Sequence, residues 1–465
     1  MDKKQLIIPG QTVCVIGLGV TGKSAVRYCL SKGAKVRVSD ARSRETFVKE
    51  EAVFLKNKNV EWEAGGHTYD FISKSDLFLP SPGVDLRTPL IRSLTAAGIR
   101  LAGELAVMAG EIDVPVVAVT GTNGKTTVTS LIGEVLTGAG KRVFVGGNIG
   151  TPLYECCLSG IDYDVIVVEV SSFQLECSGD FSPDIAILLN ITPDHLDRHG
   201  TIEDYISAKG RIFLGQKSES LAIINGDDQL CQKIEIAKDV KIEQFGRSKS
   251  CFLDISDAQF VVRSSRQDRE DFSISLTGLD GFTSYNYGAA FLALRRLGLS
   301  MLEIENGFES FRALPHRLEF VAQVNGISFV NDSKATNTGA VIGALKQIKD
   351  DIVLIAGGRN KGDDFSLLRQ SVEKKVHGVV LLGESAGEIE ASLKDLVECK
   401  RALTMEDAVT MAYRMARVGD TVLLSPACAS FDMFSSYGNR GNIFKAAVMN
   451  LVEQERTNGG DSIDQ

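Results

Sequence analysis

Residues Val116 to Thr127 read VVAVTGTNGKTT, and this stretch decides the fold. Its β-branched start predicts a buried strand, and Lys125-Thr126-Thr127 stands where the following helix should begin. The stretch carries the Gly-Lys-Thr of a P-loop, although Val119 occupies the place of the usual first glycine. In such a turn, backbone N–H groups cradle phosphates, the lysine neutralises β- and γ-phosphate oxygens, and the threonine hydroxyl binds Mg²⁺. We therefore predict a strand, a phosphate-binding turn and a helix.

The same alternation of short β-branched runs and helix-length amphipathic segments continues along most of the chain. It is typical of parallel sheets covered by helices, so we predict an α/β protein. The candidate strands include Thr12 to Ile16, Lys35 to Ser39, Val116 to Thr120, Asp164 to Glu169, Ile185 to Leu189, Ile352 to Ala356 and Thr421 to Leu424. Polar and apolar residues alternate from Cys251 to Thr277, which predicts an antiparallel ribbon at the margin of the middle domain. At about 150 residues per domain, the length predicts three domains, which we place at 1–104, 105–312 and 313–465.

Composition excludes several classes of protein. The chain has 465 residues, of which 44% are apolar and 24% charged, a globular mixture rather than that of a disordered or collagenous chain. Its net charge of −9 argues against a general affinity for nucleic acid or for an anionic membrane. The nine cysteines include no C-x-x-C pair, which favours a reducing cytoplasm over a disulfide framework or a structural zinc site. No apolar run approaches the ~18 residues of a membrane span, so we expect a soluble cytoplasmic protein, and we expect a monomer.

A second glycine-rich turn, Gly17-Leu18-Gly19-Val20-Thr21-Gly22, follows the candidate strand Thr12 to Ile16. Asp40 closes the next strand, where a carboxylate can reach a ribose hydroxyl. The spacing favours a dinucleotide, but another nucleotide would use the same N–H groups and the same carboxylate. This turn predicts a nucleotide site without deciding which nucleotide.

An acid and a pair of histidines follow two of the middle strands. Glu169 ends a buried run, which is where a P-loop protein has a second Mg²⁺ ligand. His195 and His199 could face one way on a helix and bind zinc, but neither an H-E-x-x-H motif nor an obvious third ligand accompanies them. We favour His195 as a single metal ligand, and a hydrogen-bonding residue at a helix start is the alternative.

Polar turns also follow strands in the last third of the chain, at edges where α/β domains bind ligands. They are Asn331 to Asn337, Gly357 to Gly362 and Ser425 to Asp432. Ahead of them, Arg317 in Pro315-His316-Arg317 offers a guanidinium to a γ-phosphate. Cys428 has no neighbouring base, so we interpret it as a buried residue rather than a nucleophile.

Together and in this order, the motifs resemble those of the Mur ligase family over essentially the whole chain. The P-loop string is shared with folylpolyglutamate synthases, whereas Ser-Ser-Phe-Gln-Leu and Asp-Ser-Lys-Ala-Thr-Asn resemble the members that add D-glutamate. The matching strings are Thr120 to Thr126, Glu169 to Leu175, Asp194 to Asp197, Pro315 to Arg317, Asn331 to Asn337 and Ser425 to Ser430. The stretch Asp280 to Asn286 departs from the family, because it keeps only the last asparagine of Gly-x-His-Asn-x-x-Asn.

The resemblance implies a Rossmann-like N-terminal domain for a UDP-sugar, a central P-loop ATPase-like domain with a mostly parallel sheet, and a Rossmann-like C-terminal domain for an amino acid. It implies an ATP-dependent ligase that joins D-glutamate to UDP-N-acetylmuramoyl-L-alanine through an acyl phosphate during peptidoglycan precursor synthesis, with ADP and phosphate as co-products. The implied UDP-sugar residues are Leu18, Thr21, Gly22, Asp40, Arg42, Ser81, Pro82 and Gly83, with Asn148 at the reacting end of the substrate.

The resemblance also implies the remaining parts of the site. Two Mg²⁺ ions are implied, one held by Thr126 and Glu169 and the other by His195. Lys209 matches a family lysine that CO₂ carboxylates on its amine, which makes it a metal-shell ligand. The implied catalytic residues are Lys125, Glu169, His195, Lys209 and Asn148; the ATP residues are Asn123, Gly124, Lys125, Thr126, Thr127, Asn286, Arg317 and Asp332; and the D-glutamate residues are Thr336, Lys361, Ser430, Phe431 and Tyr437.

Three other functions remain as alternatives. A related ATP-dependent ligase would add a different amino acid. An NAD-dependent oxidoreductase built on the turn at Gly17 would have no need of Lys125. A non-catalytic nucleotide-binding module would lose affinity, but no turnover, when Lys125 is replaced.

Overall fold

The computed structural model describes residues 5–47, 55–248, 250–256, 259–263, 269–270, 281–312 and 314–460. Within these residues the strands form three sheets. Each sheet contains parallel pairs that are connected through helices, as the alternating sequence pattern predicts. The prediction of an α/β protein with mostly parallel sheets is confirmed. The boundaries placed at 104/105 and 312/313 stay predictions.

The first sheet has five strands in the order β3-β2-β1-β4-β5, and all its neighbours are parallel. Its strands are β1 (Thr12–Ile16), β2 (Lys35–Asp40), β3 (Val60–Ala64), β4 (Leu77–Pro80) and β5 (Arg100–Leu101). The chain order reverses at β1, because β2 lies on one side of it and β4 on the other. Parallel sheets bind ligands at the carboxyl ends of the strands that flank such a reversal.

The second sheet follows the order β14-β13-β12-β11-β10-β9-β6-β8-β7. Its strands are β6 (Val116–Thr120), β7 (Val143–Gly147), β8 (Val165–Glu169), β9 (Ile185–Leu188), β10 (Leu221–Asn225), β11 (Lys241–Gly246), β12 (Leu253–Ser256), β13 (Gln259–Arg263) and β14 (Arg269–Glu270). From β7 to β12 the neighbours are parallel, and β13 and β14 add antiparallel pairs at one edge. The predicted ribbon is therefore present over its described residues; 257–258, 264–268 and 271–277 lie outside them.

The third sheet follows the order β15-β16-β20-β17-β18-β19. Its strands are β15 (Glu319–Val324), β16 (Ile327–Asn331), β17 (Ile352–Ala356), β18 (Val376–Leu381), β19 (Glu398–Arg401) and β20 (Thr421–Leu424). Only the pair of β15 and β16 is antiparallel within the described part of this sheet. Strand β20 lies between β16 and β17, so the three polar turns predicted after these strands begin at adjacent strand ends.

Helices connect the strands and cover the sheets. They are α1 (Val20–Ser31), α2 (Tyr69–Ile72), α3 (Pro89–Ala96), α4 (Glu104–Met108), α5 (Lys125–Gly138), α6 (Glu155–Leu158), α7 (Ser172–Leu175), α8 (Leu196–His199), α9 (Ile202–Gly210), α10 (Gly281–Arg296), α11 (Met301–Ser310), α12 (Thr338–Gln347), α13 (Arg369–Lys375), α14 (Ala386–Leu393), α15 (Met405–Met415) and α16 (Tyr437–Gly460). Short 3₁₀ turns lie at Arg44–Thr46, Arg211–Phe213, Cys231–Lys233 and Phe365–Leu368. In the described part of the chain, no helix combines the length and apolar character that crossing a membrane requires.

The chain divides into two compact units. The first contains residues 1–191, 203–279 and 283–311, and the second contains 192–202, 280–282 and 312–465. The first unit holds the first two sheets. In its main core, apolar residues of the second sheet such as Val119 form one cluster with apolar residues of α5 and α10 such as Leu131 and Phe291. The second unit holds the third sheet, which has one apolar core on each face. Burial of β6, β8, β17 and β20 explains why these strands have continuous apolar sequences.

Candidate active site

The turn between β6 and α5 has the geometry of a phosphate-binding loop. Gly124 precedes the helix with φ +86°, and a Cβ at this position would overlap the side-chain oxygen of Asn286. Lys125 folds its ammonium back over the turn, where Nζ donates to the carbonyl oxygens of Gly121 at 2.9 Å and Thr122 at 2.8 Å. Because α5 has no acidic residue in its first turn, the positive end of its helix dipole is not neutralised by a side chain of that turn, which favours an anion there.

Asn190 fixes this turn from the end of the neighbouring strand β9. Its Oδ1 accepts from the backbone N–H of Asn123 at 2.8 Å, and its Nδ2 donates to the carbonyl of Asn123 at 2.9 Å. Its own carbonyl accepts from the N–H of Thr122 at 2.9 Å. Asn190 thus holds both the N–H and the carbonyl of Asn123 in the loop. Asn190 was not among the sequence-predicted site residues.

Glu169 lies at the end of β8, beside β6, and its side chain is buried. Asn148 donates from Nδ2 to Glu169 Oε1 at 2.7 Å, while Glu169 Oε2 has no hydrogen-bond partner among the described residues. A buried carboxylate oxygen without a donor is costly unless a cation or another donor meets it. The structure thus brings Asn148 and Glu169 together, and this pair fits a Mg²⁺ ligand with its orienting partner.

Lys209 reaches the same loop from helix α9. It is 1% exposed, and its Nζ donates to the carbonyl of Gly121 at 2.8 Å while lying 4.6 Å from the ring centre of Tyr205. Tyr205 in turn places its hydroxyl 3.2 Å from Thr122 Oγ1. Two lysines, Lys125 and Lys209, therefore share the carbonyl of Gly121. Thr126 and Thr127 lie half-buried in the first turn of α5.

The glycine-rich turn of the first sheet is organised by Asp40. Its Oδ2 accepts from the N–H of Leu18 at 2.6 Å, and its Oδ1 accepts from the N–H and Nε of Arg42 at 2.9 and 3.0 Å. Burial alone would raise the pKa of Asp40, but the hydrogen bonds from Arg42 and Leu18 lower it below its ordinary value. This acid is therefore ionised, and it holds Leu18 and Arg42 at one strand end.

Ser81 closes the other side of this turn. Its hydroxyl donates to the carbonyl of Gly17 at 2.9 Å, and a Cβ at Gly22 would overlap that same carbonyl oxygen. The half-buried Thr21 and Pro82 and the exposed Gly83 belong to the two turns joined by this contact. The predicted UDP-sugar residues other than Asn148 therefore converge at the carboxyl ends of β1, β2 and β4.

Asp332 and Arg317 belong to the second unit. Ser425 donates its hydroxyl to Asp332 Oδ2 at 2.9 Å. Burial raises the pKa of Asp332 to about 7, although the Ser425 hydrogen bond and the positive charge of Arg317 act in the opposite direction. Their roles in ATP binding stay predictions.

Asp194 joins Lys361 and Asn337 in the second unit. Lys361 Nζ contacts Asp194 Oδ1 at 2.8 Å, and Asn337 Nδ2 donates to Asp194 Oδ2 at 3.0 Å. Burial would raise the pKa of Asp194, but the charges of Lys361 and His195 and these hydrogen bonds lower it. His195 precedes α8 with φ +56°, and its Nε2 lies 3.7 Å from Asp194 Oδ1.

The other predicted D-glutamate residues vary in exposure. Ser430 is buried and Thr336 half-buried, whereas Phe431 is 68% exposed. Tyr437 begins α16, and Lys334 Nζ lies 3.8 Å from its ring centre. Cys428 is buried, and burial raises its pKa to about 12, as expected of a thiol that is not a nucleophile.

A buried arginine that sequence reasoning missed joins two of the polar turns. Arg440 donates from Nε to Ser333 Oγ at 3.0 Å, from Nη2 to the Ser333 carbonyl at 2.8 Å and from Nη1 to the Cys428 carbonyl at 3.1 Å. Burial lowers its pKa to about 10. No sequence motif marks it, because its side-chain partner Ser333 lies 107 residues away along the chain. Among the described residues, no group of three or more His, Cys, Asp or Glu side chains forms a metal cluster.

Three family models match successive parts of the chain. The N-terminal domain of Mur ligases of the MurD-like type matches residues 11–103, the Mur ligase middle domain matches 119–294, and the Mur ligase glutamate ligase domain matches 316–428.

Similar curated proteins extend over nearly the full length. A protein of Desulfotalea psychrophila is 46% identical over 97% of this chain and 99% of its own, and one of Koribacter versatilis is 40% identical over the same shares. Both are named UDP-N-acetylmuramoylalanine–D-glutamate ligase.

Solved structures share the fold at low identity. A pseudomurein peptide ligase type C from Methanothermus fervidus is 18% identical with a TM-score of 0.59, covering 95% of this chain and 100% of that one. MurF ligase from Thermotoga maritima, solved in complex with ADP, is 19% identical with a TM-score of 0.57, covering 97% and 96%.

Proposed function

The chain belongs to the Mur ligase family, and we propose that it is the ATP-dependent ligase that joins D-glutamate to UDP-N-acetylmuramoyl-L-alanine. Whole-length relatives at 46% and 40% identity carry the name of this activity. One observation carries the reaction type. The buried carboxylate of Glu169 has one oxygen held by Asn148 and one without a described partner, beside a turn built to hold phosphates. We place the reaction in the cytoplasm, in peptidoglycan precursor synthesis, and expect the enzyme to be a monomer.

Mg²⁺ fits the donors that this site offers. Glu169 Oε2 and the Thr126 hydroxyl are the oxygen ligands that this ion prefers. When bound, the ion would neutralise charge on the β- and γ-phosphates. His195 is the proposed ligand of a second ion, and Asp194 lies beside its imidazole.

The reaction requires that a poor acyl donor be activated. A carboxylate oxygen of the substrate would bond to the γ-phosphorus as the bond to the ADP oxygen breaks. The amine of D-glutamate would then bond to the acyl carbon and lose a proton, and inorganic phosphate would leave. Lys125 and the N–H groups of the turn would stabilise the charge that grows on the transferred group, with Asn123, Gly124 and Thr127 lining it and Asn286 nearby.

Lys209 carries a separate proposal. Its ammonium would lose one proton, and the neutral amine would then add CO₂ to form a carbamate and release a second proton, so that a cation becomes an anionic metal-shell ligand. The unmodified ammonium donates to the carbonyl of Gly121, and a carbamate oxygen would repel that carbonyl. The carbamate nitrogen would keep one N–H, so the contact with Gly121 would persist only with both carbamate oxygens turned away from that carbonyl.

For the two other substrates, the proposed binding residues are those that the family resemblance implies. The two carboxylates of D-glutamate would bind Lys361, Thr336 and Ser430, with Phe431 and Tyr437 beside them. Lys361 is the cation that could take a carboxylate in place of Asp194. In the first sheet, the Asp40 turn would bind the uridine diphosphate through N–H groups and helix α1, with Asn148 at the reacting end.

Phosphate release with several amino acids tests the function. We expect the purified protein, supplied with ATP, Mg²⁺ and UDP-N-acetylmuramoyl-L-alanine, to release phosphate fastest with D-glutamate, and more slowly with L-glutamate, L-alanine or a diamino acid. Mass spectrometry should find the amide product in proportion to the phosphate. Faster release with any other amino acid would replace D-glutamate as the substrate, and no ATP consumption with any of them would refute the proposal.

A further inference from the structure

Glu104 is a buried acid to which neither the family motifs nor the mechanism assigns a role. It begins α4, and its carboxylate accepts from the N–H of Tyr154 at 3.4 Å and from Gln174 Nε2 at 3.3 Å. Burial raises its pKa to about 7, although these hydrogen bonds oppose that shift. Burying a carboxyl group is costly, so a partner that uses its acceptor oxygens is expected to matter.

That partner, Gln174, has both ends of its amide occupied. Its Oε1 accepts from the N–H and the hydroxyl of Ser171, each at 3.0 Å, and Ser171 Oγ accepts from the N–H of Gln174 at 3.2 Å. This reciprocal pair is the capping box of α7. Glu104 accepts from the other end, which decides the orientation of the amide. Without this acceptor, a flipped amide would turn its NH₂ group towards the N–H of Ser171, and the half of the capping box that Gln174 Oε1 provides would be lost.

The capped turn follows the proposed Mg²⁺ ligand directly. Ser171 is two residues after Glu169, and between them Val170 donates its N–H to the carbonyl of Val119 at 2.8 Å. Thr120 donates its hydroxyl to the carbonyl of Val170 at 2.9 Å. The backbone after Glu169 is therefore held by strand β6 on one side and by the Ser171 cap on the other.

We propose that Glu104 is a positioning residue for phosphoryl transfer, acting through Gln174 and Ser171 on the backbone that carries Glu169. The inference rests on the proposed function, because it gives Glu169 the metal-binding role. It adds a polar connection between the start of α4 and the acid of the nucleotide site. The neighbouring backbone supports it, because Gly103 donates its N–H to the carbonyl of Cys177, just beyond α7.

The first test exchanges the acid and the amide. Glu104→Gln leaves one acceptor oxygen for two donors, the N–H of Tyr154 and the NH₂ group of Gln174, so the Gln174 amide is no longer held in one orientation. We expect kcat to fall about 10-fold, at the lower end of the effects of changing residues that orient metal ligands. The Mg²⁺ concentration for half-maximal rate should rise, and the KM for D-glutamate should change less than twofold. The double variant Glu104→Gln with Gln174→Glu restores a donor facing an acceptor at both contacts, so we expect it to recover most of the lost kcat.

A second variant and a control keep the outcome decisive. Ser171→Ala should reproduce the kcat loss, and its combination with Glu104→Gln should add little, because both act through one cap. Glu111→Gln is the control, since Glu111 also has a mostly buried side chain but contacts Lys32 at 2.7 Å instead of Gln174. It should lower the melting temperature without changing kcat.

Three results would overturn the inference: a kcat for Glu104→Gln within twofold of wild type, full additivity with Ser171→Ala, or a folded double exchange that recovers nothing. Wild-type protein that releases no phosphate with D-glutamate would instead refute the proposed function, and the inference with it.

Discussion

At the scale of single residues, Lys125 and Glu169 should be indispensable to the rate. Lys125→Ala and Glu169→Ala should each lower kcat at least ~100-fold at saturating ATP and Mg²⁺, because each removes charge or a metal ligand that stabilises the transferred phosphoryl group. Phosphate release measures the effect. Lys141→Ala, which removes an exposed lysine at the far end of α5, should keep the wild-type rate. Near-normal kcat for both site variants would contradict the mechanism.

Asp332 predicts a pH dependence of stability. Its pKa is about 7 in the folded protein, against an ordinary value of 3.8 for an aspartate in an unfolded chain, so between these pH values the folded state binds more protons than the unfolded state. Stability from this residue therefore falls as pH rises through that window, by about 1.4 kcal/mol per pH unit at most. The asparagine of Asp332→Asn does not titrate in this range, so the variant lacks this part of the pH dependence of stability.

Melting temperatures at pH 5 and pH 8 measure this difference. Any advantage of the wild type over Asp332→Asn should shrink on going from pH 5 to pH 8. Glu104, whose pKa burial also raises to about 7, is present in both proteins, so its contribution to the pH dependence cancels in the comparison. An advantage that is constant or grows with pH would show that the Asp332 carboxyl group is ionised in the folded state throughout this range.

The sequence predicts site residues only where chemistry leaves a local pattern. Lys125, Asp40 and Glu169 stand at strand ends beside glycines or after apolar runs, so their places follow from spacing. Asn190, Glu104 and Arg440 act through contacts 67, 70 and 107 residues away, and no local pattern indicates such partners. Prediction from sequence therefore captures the residues that we propose to contact a ligand better than the residues that hold these in place.

At the scale of elements, Gly124 tests how the phosphate-binding turn joins α5. Gly124→Ala would place a methyl group against the side chain of Asn286, and it would force an alanine into the left-handed backbone conformation of Gly124, with φ +86°. We therefore expect ATP affinity to fall at least ~10-fold, together with a loss of stability. Isothermal titration with ATP and Mg²⁺ measures the affinity. Gly138→Ala, at the other end of the same helix, has open space around its Cβ and should leave the affinity unchanged.

Combining Gly124→Ala with Asn286→Ala separates the two causes of this loss. Removing the Asn286 side chain relieves the overlap but leaves the left-handed backbone strain, and it also removes a proposed ATP residue, so Asn286→Ala alone is the reference. Relative to that single variant, the double variant should still bind ATP more weakly. Equal affinity of the two would mean that backbone strain contributes nothing.

Strands were predicted well because burial on both faces makes their sequences continuous. The limits expected for β1, β6, β17 and β20 coincide with the structure, and those of β2, β8 and β9 differ by one residue. Edge strands such as β3 and β5 were not named among the candidates, because half-exposed or two-residue strands have little apolar signal. The buried strands β4, β10 and β18 were not named either, and exposure does not explain their omission. Pairing order also had to come from the structure, since alternation along the chain does not determine which strands are neighbours.

At the scale of the whole molecule, two sheets of the first unit should bind different nucleotides independently. UDP-N-acetylmuramoyl-L-alanine should raise the melting temperature of Lys125→Ala but not of Asp40→Ala, and ATP with Mg²⁺ should do the reverse. Ligand at 100 times its Kd stabilises by roughly 2.7 kcal/mol, enough to detect. NADH should raise the melting temperature of neither protein. A shift with NADH that requires Asp40 would favour the oxidoreductase alternative.

The double hydrogen bond of Asn190 to Asn123 has a consequence for how ATP arrives. Because the loop already has its shape, the nucleotide does not have to order it, and the associated entropy is lost during folding instead of during association. The amide side chain of Asn190 therefore preorganises the loop for nucleotide binding. Replacing that amide should therefore slow association of the nucleotide more than it weakens any individual phosphate contact.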